Sequence, residues 1–101
     1  MTDPDAHLLI VDDDEIMRDA AGGSLKAAGF MVSEAENGVR AMEALDDIRP
    51  DIILLDVMMP EMNGFDTALA IRQKAGFAAV PILIMTARKV VKSAVFWFRS
   101  K

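Results

Sequence analysis

Short unbroken apolar runs alternate along this chain with segments of helical period. Leu8-Leu9-Ile10-Val11 and Ile52-Ile53-Leu54-Leu55 are such runs, and residues 80–85 form a third. Runs of this length suit strands buried on both faces of a sheet. Residues 30–35 alternate more, which predicts a strand at a sheet edge. Residues 15–28 set Ile16, Met17, Ala20, Ala21, Leu25 and Ala28 at helical spacing, with Gly29 behind them as a C-terminal stop. Val39, Ala41, Met42 and Leu45 predict a short second helix, lying between an Asn37-Gly38 turn and a stop near Arg49-Pro50. Residues 65–74 predict a third helix, closed at Gly76. The order β-α-β-α-β-α-β predicts an α/β fold with a parallel sheet, helices on both faces and right-handed crossovers.

Beyond the fourth strand the period is helical again. Ala87, Val90, Val91, Ala94, Val95, Trp97 and Phe98 share one broad face of a helical wheel. Arg88, Lys89, Lys92, Ser93, Arg99 and Ser100 lie opposite, so residues 88–101 are expected to form a basic amphipathic C-terminal helix, packed on a core of residues 1–87 or on a second subunit. Phe96 projects from the polar side. It reads either as a stray exposed aromatic or, with Trp97, as a partner surface.

Composition narrows the class. A chain of 101 residues allows one domain with a modest core. At 52% hydrophobic residues it is not a disordered sequence, and without cysteine it has no disulfide framework and no thiolate site. No apolar run is long enough to span a bilayer, and residues 1–6 do not resemble a secretory signal, so a cytoplasmic protein without membrane contact is expected. Charge adds an asymmetry to the net −5. Residues 1–87 carry six basic and sixteen acidic side chains, a charge of −10, while residues 88–101 carry five basic ones and no acid. Such a body repels nucleic acid, and such a tail is drawn to an acidic surface, of which another copy of the body is the nearest example.

The candidate chemistry lies in carboxylates at strand ends. Asp12, Asp13 and Asp14 follow the first strand, and Asp56 ends the third. In open α/β sheets the strand C-termini frame a ligand crevice where strand order reverses. If strands one and three are neighbours, Asp12, Asp13 and Asp56 converge there. Crowded carboxylates are costly without a cation, and hard oxygen donors beside a phosphate suit Mg²⁺. Asp56 could then act as a nucleophile and form an aspartyl-phosphate. The acid triplet alone fits a solvated helix N-terminus equally well. His7, the only histidine, reads as an exposed residue rather than a ligand.

Three segments resemble the receiver domains of two-component response regulators. Leu8-Leu9-Ile10-Val11-Asp12-Asp13-Asp14 is similar to the family's first strand and acid pair. Asp51-Ile52-Ile53-Leu54-Leu55-Asp56-Val57-Met58-Met59-Pro60-Glu61-Met62-Asn63-Gly64 is similar to its phosphoacceptor segment, and Pro81-Ile82-Leu83-Ile84-Met85-Thr86-Ala87 to its fourth strand and switch threonine. The resemblance implies a doubly wound, flavodoxin-like fold with strand order 2-1-3-4. It implies Asp56 as phosphoacceptor, Asp13 as a direct Mg²⁺ ligand and Asp12 as one acting mainly through water. Met58 would offer its backbone carbonyl to the metal, and Thr86 would contact the phosphoryl group and act as the switch. Ala87 and Arg88 would be neighbours of that group. A histidine kinase or histidine phosphotransferase would be the donor.

The family's fifth strand, its lysine and its fifth helix have no counterpart among these residues. The fourth strand would then be a sheet edge that is apolar on both faces, a poor sequence for an exposed edge. Either the chain's own tail or a second molecule is expected to cover it, and a homodimer through that edge and the C-terminal segment would also bring basic tail to acidic body. Three functions follow. The first is a Mg²⁺-dependent phosphoacceptor module that is not an enzyme acting on an outside substrate. The second is a degenerate receiver that dimerises or sequesters a kinase. The third is a metal-dependent hydrolase, disfavoured for want of a separate general acid.

Overall fold

The structure, a computed structural model, describes residues 6–56, residues 64–85 and the backbone of Phe96–Trp97. The elements follow as β1 (His7–Val11), α1 (Glu15–Ala27), β2 (Met31–Ala35), α2 (Gly38–Ala44), β3 (Ile52–Asp56), α3 (Gly64–Gln73), β4 (Ile82–Met85) and β5 (Phe96–Trp97). The unbroken apolar runs are β1, β3 and β4, and each pairs in parallel with its neighbour. The alternating strand β2 lies at the sheet edge beside β1, so the parallel strands stand in the expected order β2-β1-β3-β4.

One face of this sheet is sealed. Leu9, Val11, Ile53, Leu55 and Ile82 are wholly buried against Ala41 and Leu45 of the α2 region and Ala68 and Ile71 of α3, with Phe77 closing the lower end. Strand alternation sends Leu8 and Ile10 to the opposite face, where α1 packs. A side chain at Gly22 of α1 would meet Val32 and Glu34 of β2, the partners of Leu8 and Ile10 in the β1–β2 register, which places α1 over β1 and β2.

The local signals acted in three ways. Gly29 ends α1 as expected: its φ of +102° is the left-handed conformation that glycine adopts freely, and the Phe30 amide turns back to the Leu25 carbonyl at 3.1 Å. Asn37-Gly38 is not a separate turn but the start of α2. Asn37 is the N-cap, and its side-chain oxygen accepts from the Arg40 amide at 2.8 Å. Asn37→Ala is therefore expected to cost about 1 kcal/mol in urea unfolding, whereas a plain loop position would be nearly neutral. In α1 the apolar spacing overstates burial. Ile16 is 80% and Met17 39% exposed, and Ala20 and Ala28 are exposed as well, because the helix covers only β1 and β2 and its flank toward β3 meets no helix among the described residues.

The C-terminal segment departs further from expectation. Phe96 and Trp97, expected within an amphipathic helix, form β5, antiparallel to β4 with Trp97 opposite Leu83 and Phe96 opposite Ile84. The connection from Met85 to Phe96 has only ten residues, fewer than the dozen or more that a parallel crossover requires. The chain therefore returns as a hairpin. The edge of β4 is covered at Leu83 and Ile84 by the chain's own tail, one of the two covers the sequence leaves open. The rest of residues 88–101 lies outside the described residues.

Candidate metal centre

Register brings the carboxylates together. Val11 stands opposite both Ala35 of β2 and Leu55 of β3, so Asp12, the residue after β1, and Asp56, the last residue of β3, share the C-terminal edge of the sheet. This is the switch point of the strand order, where β1 has β2 on one side and β3 on the other. One carboxylate oxygen from each of Asp12, Asp13 and Asp56 lies within 4.8 Å of the others.

The triplet after β1 divides its labour. Asp12 is 3% exposed, and its Oδ1 accepts from the Asp14 amide at 2.9 Å, which fixes the turn out of the strand. Asp13, half-buried, completes the cluster. Asp14 stays outside it and caps α1, its Oδ1 accepting from the amides of Ile16 at 3.0 Å and Met17 at 3.1 Å. Both readings of the triplet thus hold, for different residues. Asp56 is fully buried and stands opposite Met85 of β4.

The set fits a hard divalent cation. All three donors are carboxylates, two of them buried, and neighbouring negative charges out of water are stabilised chiefly by a cation. Mg²⁺ takes one or two carboxylates together with water and phosphate oxygens, which suits a cluster with one half-open member.

Arg18 was not singled out in the sequence. It reaches from α1 to donate from Nη1 to the Asp12 backbone oxygen at 2.7 Å and from Nε to Glu34 at 3.2 Å, tying the β1 end, α1 and β2 together. Its only sequence signal is a cation one helical turn after the triplet. Arg72 is likewise unheralded, 8% exposed with Nη1 donating to the Phe77 carbonyl at 3.0 Å. His7 is half-buried rather than exposed. Its ring shares a 2.7 Å hydrogen bond with Ser33 at the opposite end of the strands from Asp56. Met58, Thr86, Ala87 and Arg88 lie outside the described residues, as do the side chains of Phe96 and Trp97.

A model of the response regulator receiver domain matches residues 8–100. The chain belongs to this family. Among curated relatives, the response regulator MprA of Mycobacterium sp. is 38% identical over 89 residues, which are 88% of this chain and 38% of that protein. The DNA-binding dual master transcriptional regulator RpaA of Synechocystis sp. is 31% identical over 94 residues, 93% of this chain and 39% of that protein. The receiver thus spans well under half the length of these relatives. The solved structure of the chemotaxis protein CheY4 of Vibrio cholerae superposes with a TM-score of 0.80 at 32% identity, covering 88% of this chain and 74% of that one. TrrA of Thermotoga maritima, in complex with Mg²⁺ and BeF, gives 0.74 at 30% identity, covering 81% of this chain and 70% of that one. The fold is therefore the flavodoxin-like receiver fold, with its four parallel strands in the order 2-1-3-4. No helix among the described residues is long and apolar enough to cross a membrane.

Proposed function

We propose that this receiver domain takes a phosphoryl group onto Asp56 from a histidine kinase or histidine phosphotransfer protein in a Mg²⁺-dependent step. The observation that carries this reading is the convergence of the Asp12 and Asp13 carboxylates on the fully buried Asp56 at the switch point of the sheet. An oxygen of Asp56 attacks the phosphorus, a P–O bond to Asp56 forms, and the P–N bond to the donor histidine breaks, the imidazole leaving with its electron pair and taking up a proton. Asp13 and Asp56 would hold the metal through carboxylate oxygens, and Asp12 mainly through water. When bound, Mg²⁺ offsets the charge on the phosphoryl oxygens. Asp14 and Arg18 hold in place the β1–α1 turn that carries Asp12 and Asp13.

The complex of TrrA with Mg²⁺ and BeF supports the choice of metal by likeness. The roles of Met58, Thr86, Ala87 and Arg88 rest on the motif resemblance alone. The acidic body argues that this domain signals through protein partners in the cytoplasm rather than by binding nucleic acid itself.

A second reading has one observation in its favour. β5 runs antiparallel to β4, away from Asp56, and its residues Phe96 and Trp97 bring no cation to the site. On this reading the domain is a degenerate receiver that works by dimerising or by sequestering a kinase.

Intact mass separates the two. Incubation with a small phosphodonor and Mg²⁺ is expected to add one hydroxylamine-sensitive phosphoryl group, absent in Asp56→Asn and in chelator. A folded, Mg²⁺-binding sample that gains no mass selects the degenerate receiver.

A further inference from the structure

The inward stripe of α1 is not wholly apolar. Ala21 and Leu25 are half-buried and Gly22 is buried, and the residue that shares their face nearer the N-terminus is Arg18. Its side chain is only 15% exposed, and that of its partner Glu34 on β2 27%. Gly22 makes room for this partner. A Cβ there would stand 2.8 Å from Glu34 Oε2, closer than packed atoms come. The helix thus carries a glycine in its interior, against its propensity, and a carboxylate lies in the space left open.

The pair serves one carbonyl. Arg18 Nη1 donates to the Asp12 backbone oxygen at 2.7 Å while Nε donates to Glu34 Oε1 at 3.2 Å. That oxygen belongs to the planar peptide unit whose nitrogen is Asp13's, so fixing it fixes the plane from which the Asp13 side chain departs. The other side of Asp12 is tied as well, its amide donating to the Ala35 carbonyl at 3.1 Å. A lone guanidinium in this place would oppose a cation held by Asp13 and Asp56. Glu34 offsets the charge, so the pair brings a hydrogen bond to the site and no net charge.

We propose, resting on the metal site proposed above, that Arg18 held by Glu34 is a positioning residue that sets the Mg²⁺ affinity of the carboxylate cluster. Charge and position predict opposite signs. Loss of a nearby positive charge would by itself tighten Mg²⁺ binding. Loss of a group that orients a metal ligand weakens it, typically by about 10- to 100-fold.

Arg18→Met keeps an unbranched stem on the stripe and removes the donors and the charge. Calorimetric titration with Mg²⁺ is expected to give a dissociation constant about 10-fold above that of the parent chain. In chelator, hydrogen exchange at the Asp14 amide, which donates to Asp12 Oδ1 at 2.9 Å, is expected to quicken. The Ile10 amide, within β1, should exchange as in the parent. Labelling by a small phosphodonor should fall at limiting Mg²⁺ and recover at saturating Mg²⁺, because Asp56 on β3 is untouched. Should this variant not fold, Arg18→Gln repeats the comparison with a polar side chain. A dissociation constant equal to or below the parent's would overturn the inference and leave the metal site standing. So would faster exchange at Asp14 and Ile10 alike, the mark of a general loss of stability. A folded parent chain that binds no Mg²⁺ would overturn the metal reading itself, and the role of Arg18 with it.

Discussion

Asp13→Asn is expected to make the metal-free protein more stable and to remove the response of its stability to Mg²⁺. The two effects have one cause. Asp13 brings a carboxylate oxygen within 4.8 Å of oxygens on Asp12 and Asp56, both of which are buried. Like charges at that separation repel by about 1–3 kcal/mol at the effective dielectric of a partly buried site. Neutralising the half-open member relieves this repulsion without removing a strand or a cap, because the amide bonds of the turn go to Asp12 and Asp14. The parent chain should gain about 2.7 kcal/mol when Mg²⁺ reaches a hundred times its dissociation constant, since only the folded cluster binds it. In Asp13→Asn that gain should largely vanish, along with Mg²⁺-dependent phosphorylation. Urea unfolding of both proteins, with Mg²⁺ and with chelator, measures all four states. Equal stability without metal and an unchanged response to Mg²⁺ would mean that the three carboxylates do not act as one site.

Much of this was readable from the sequence because the signals were local. An unbroken apolar run can only be a strand covered on both faces or a buried helix, and the short length of residues 8–11 and 52–55 decides for strands. Alternation placed β2 at the edge. The site followed from those assignments, since acids directly after two adjacent parallel strands must share the same end of the sheet. What the pattern could not supply was anything that depends on neighbours. The wheel of α1 groups Ile16 and Met17 with Leu25, but only the position of the helix over β1 and β2 decides which of them is buried. The wheel of residues 88–100 is just as regular, yet Phe96 and Trp97 pair with Leu83 and Ile84, because the unpaired edge of β4 is a hydrogen-bonding template that a helical wheel does not register. Asn37-Gly38 carries the same letters as a hairpin turn, and only the helix behind it makes it a cap. Arg18 and Glu34 are sixteen positions apart, so their ion pair beside the acid cluster leaves no trace in spacing.

The unequal covering of the sheet gives the other large effect. Ile53→Ala should cost about 2–5 kcal/mol, the range for emptying a well-packed site. Ile53 is wholly buried on the central strand β3, between Leu9 of β1 and Ile82 of β4, in the cluster that joins the sheet to α2 and α3. Domains of this kind have about 5–15 kcal/mol of stability, small ones the least, so the loss is a large share of the total. It should also loosen the site, since β3 ends in Asp56 and any shift of that strand moves the nucleophile relative to Asp12 and Asp13. Leu54→Ala removes a similar volume one residue away, on the half-buried face. In dilute monomer it should cost distinctly less, because water already reaches Leu54 and the site can collapse. Urea midpoints of the two variants at low concentration make the comparison. Equal losses would mean that the α1 face is packed as tightly as the α2 and α3 face.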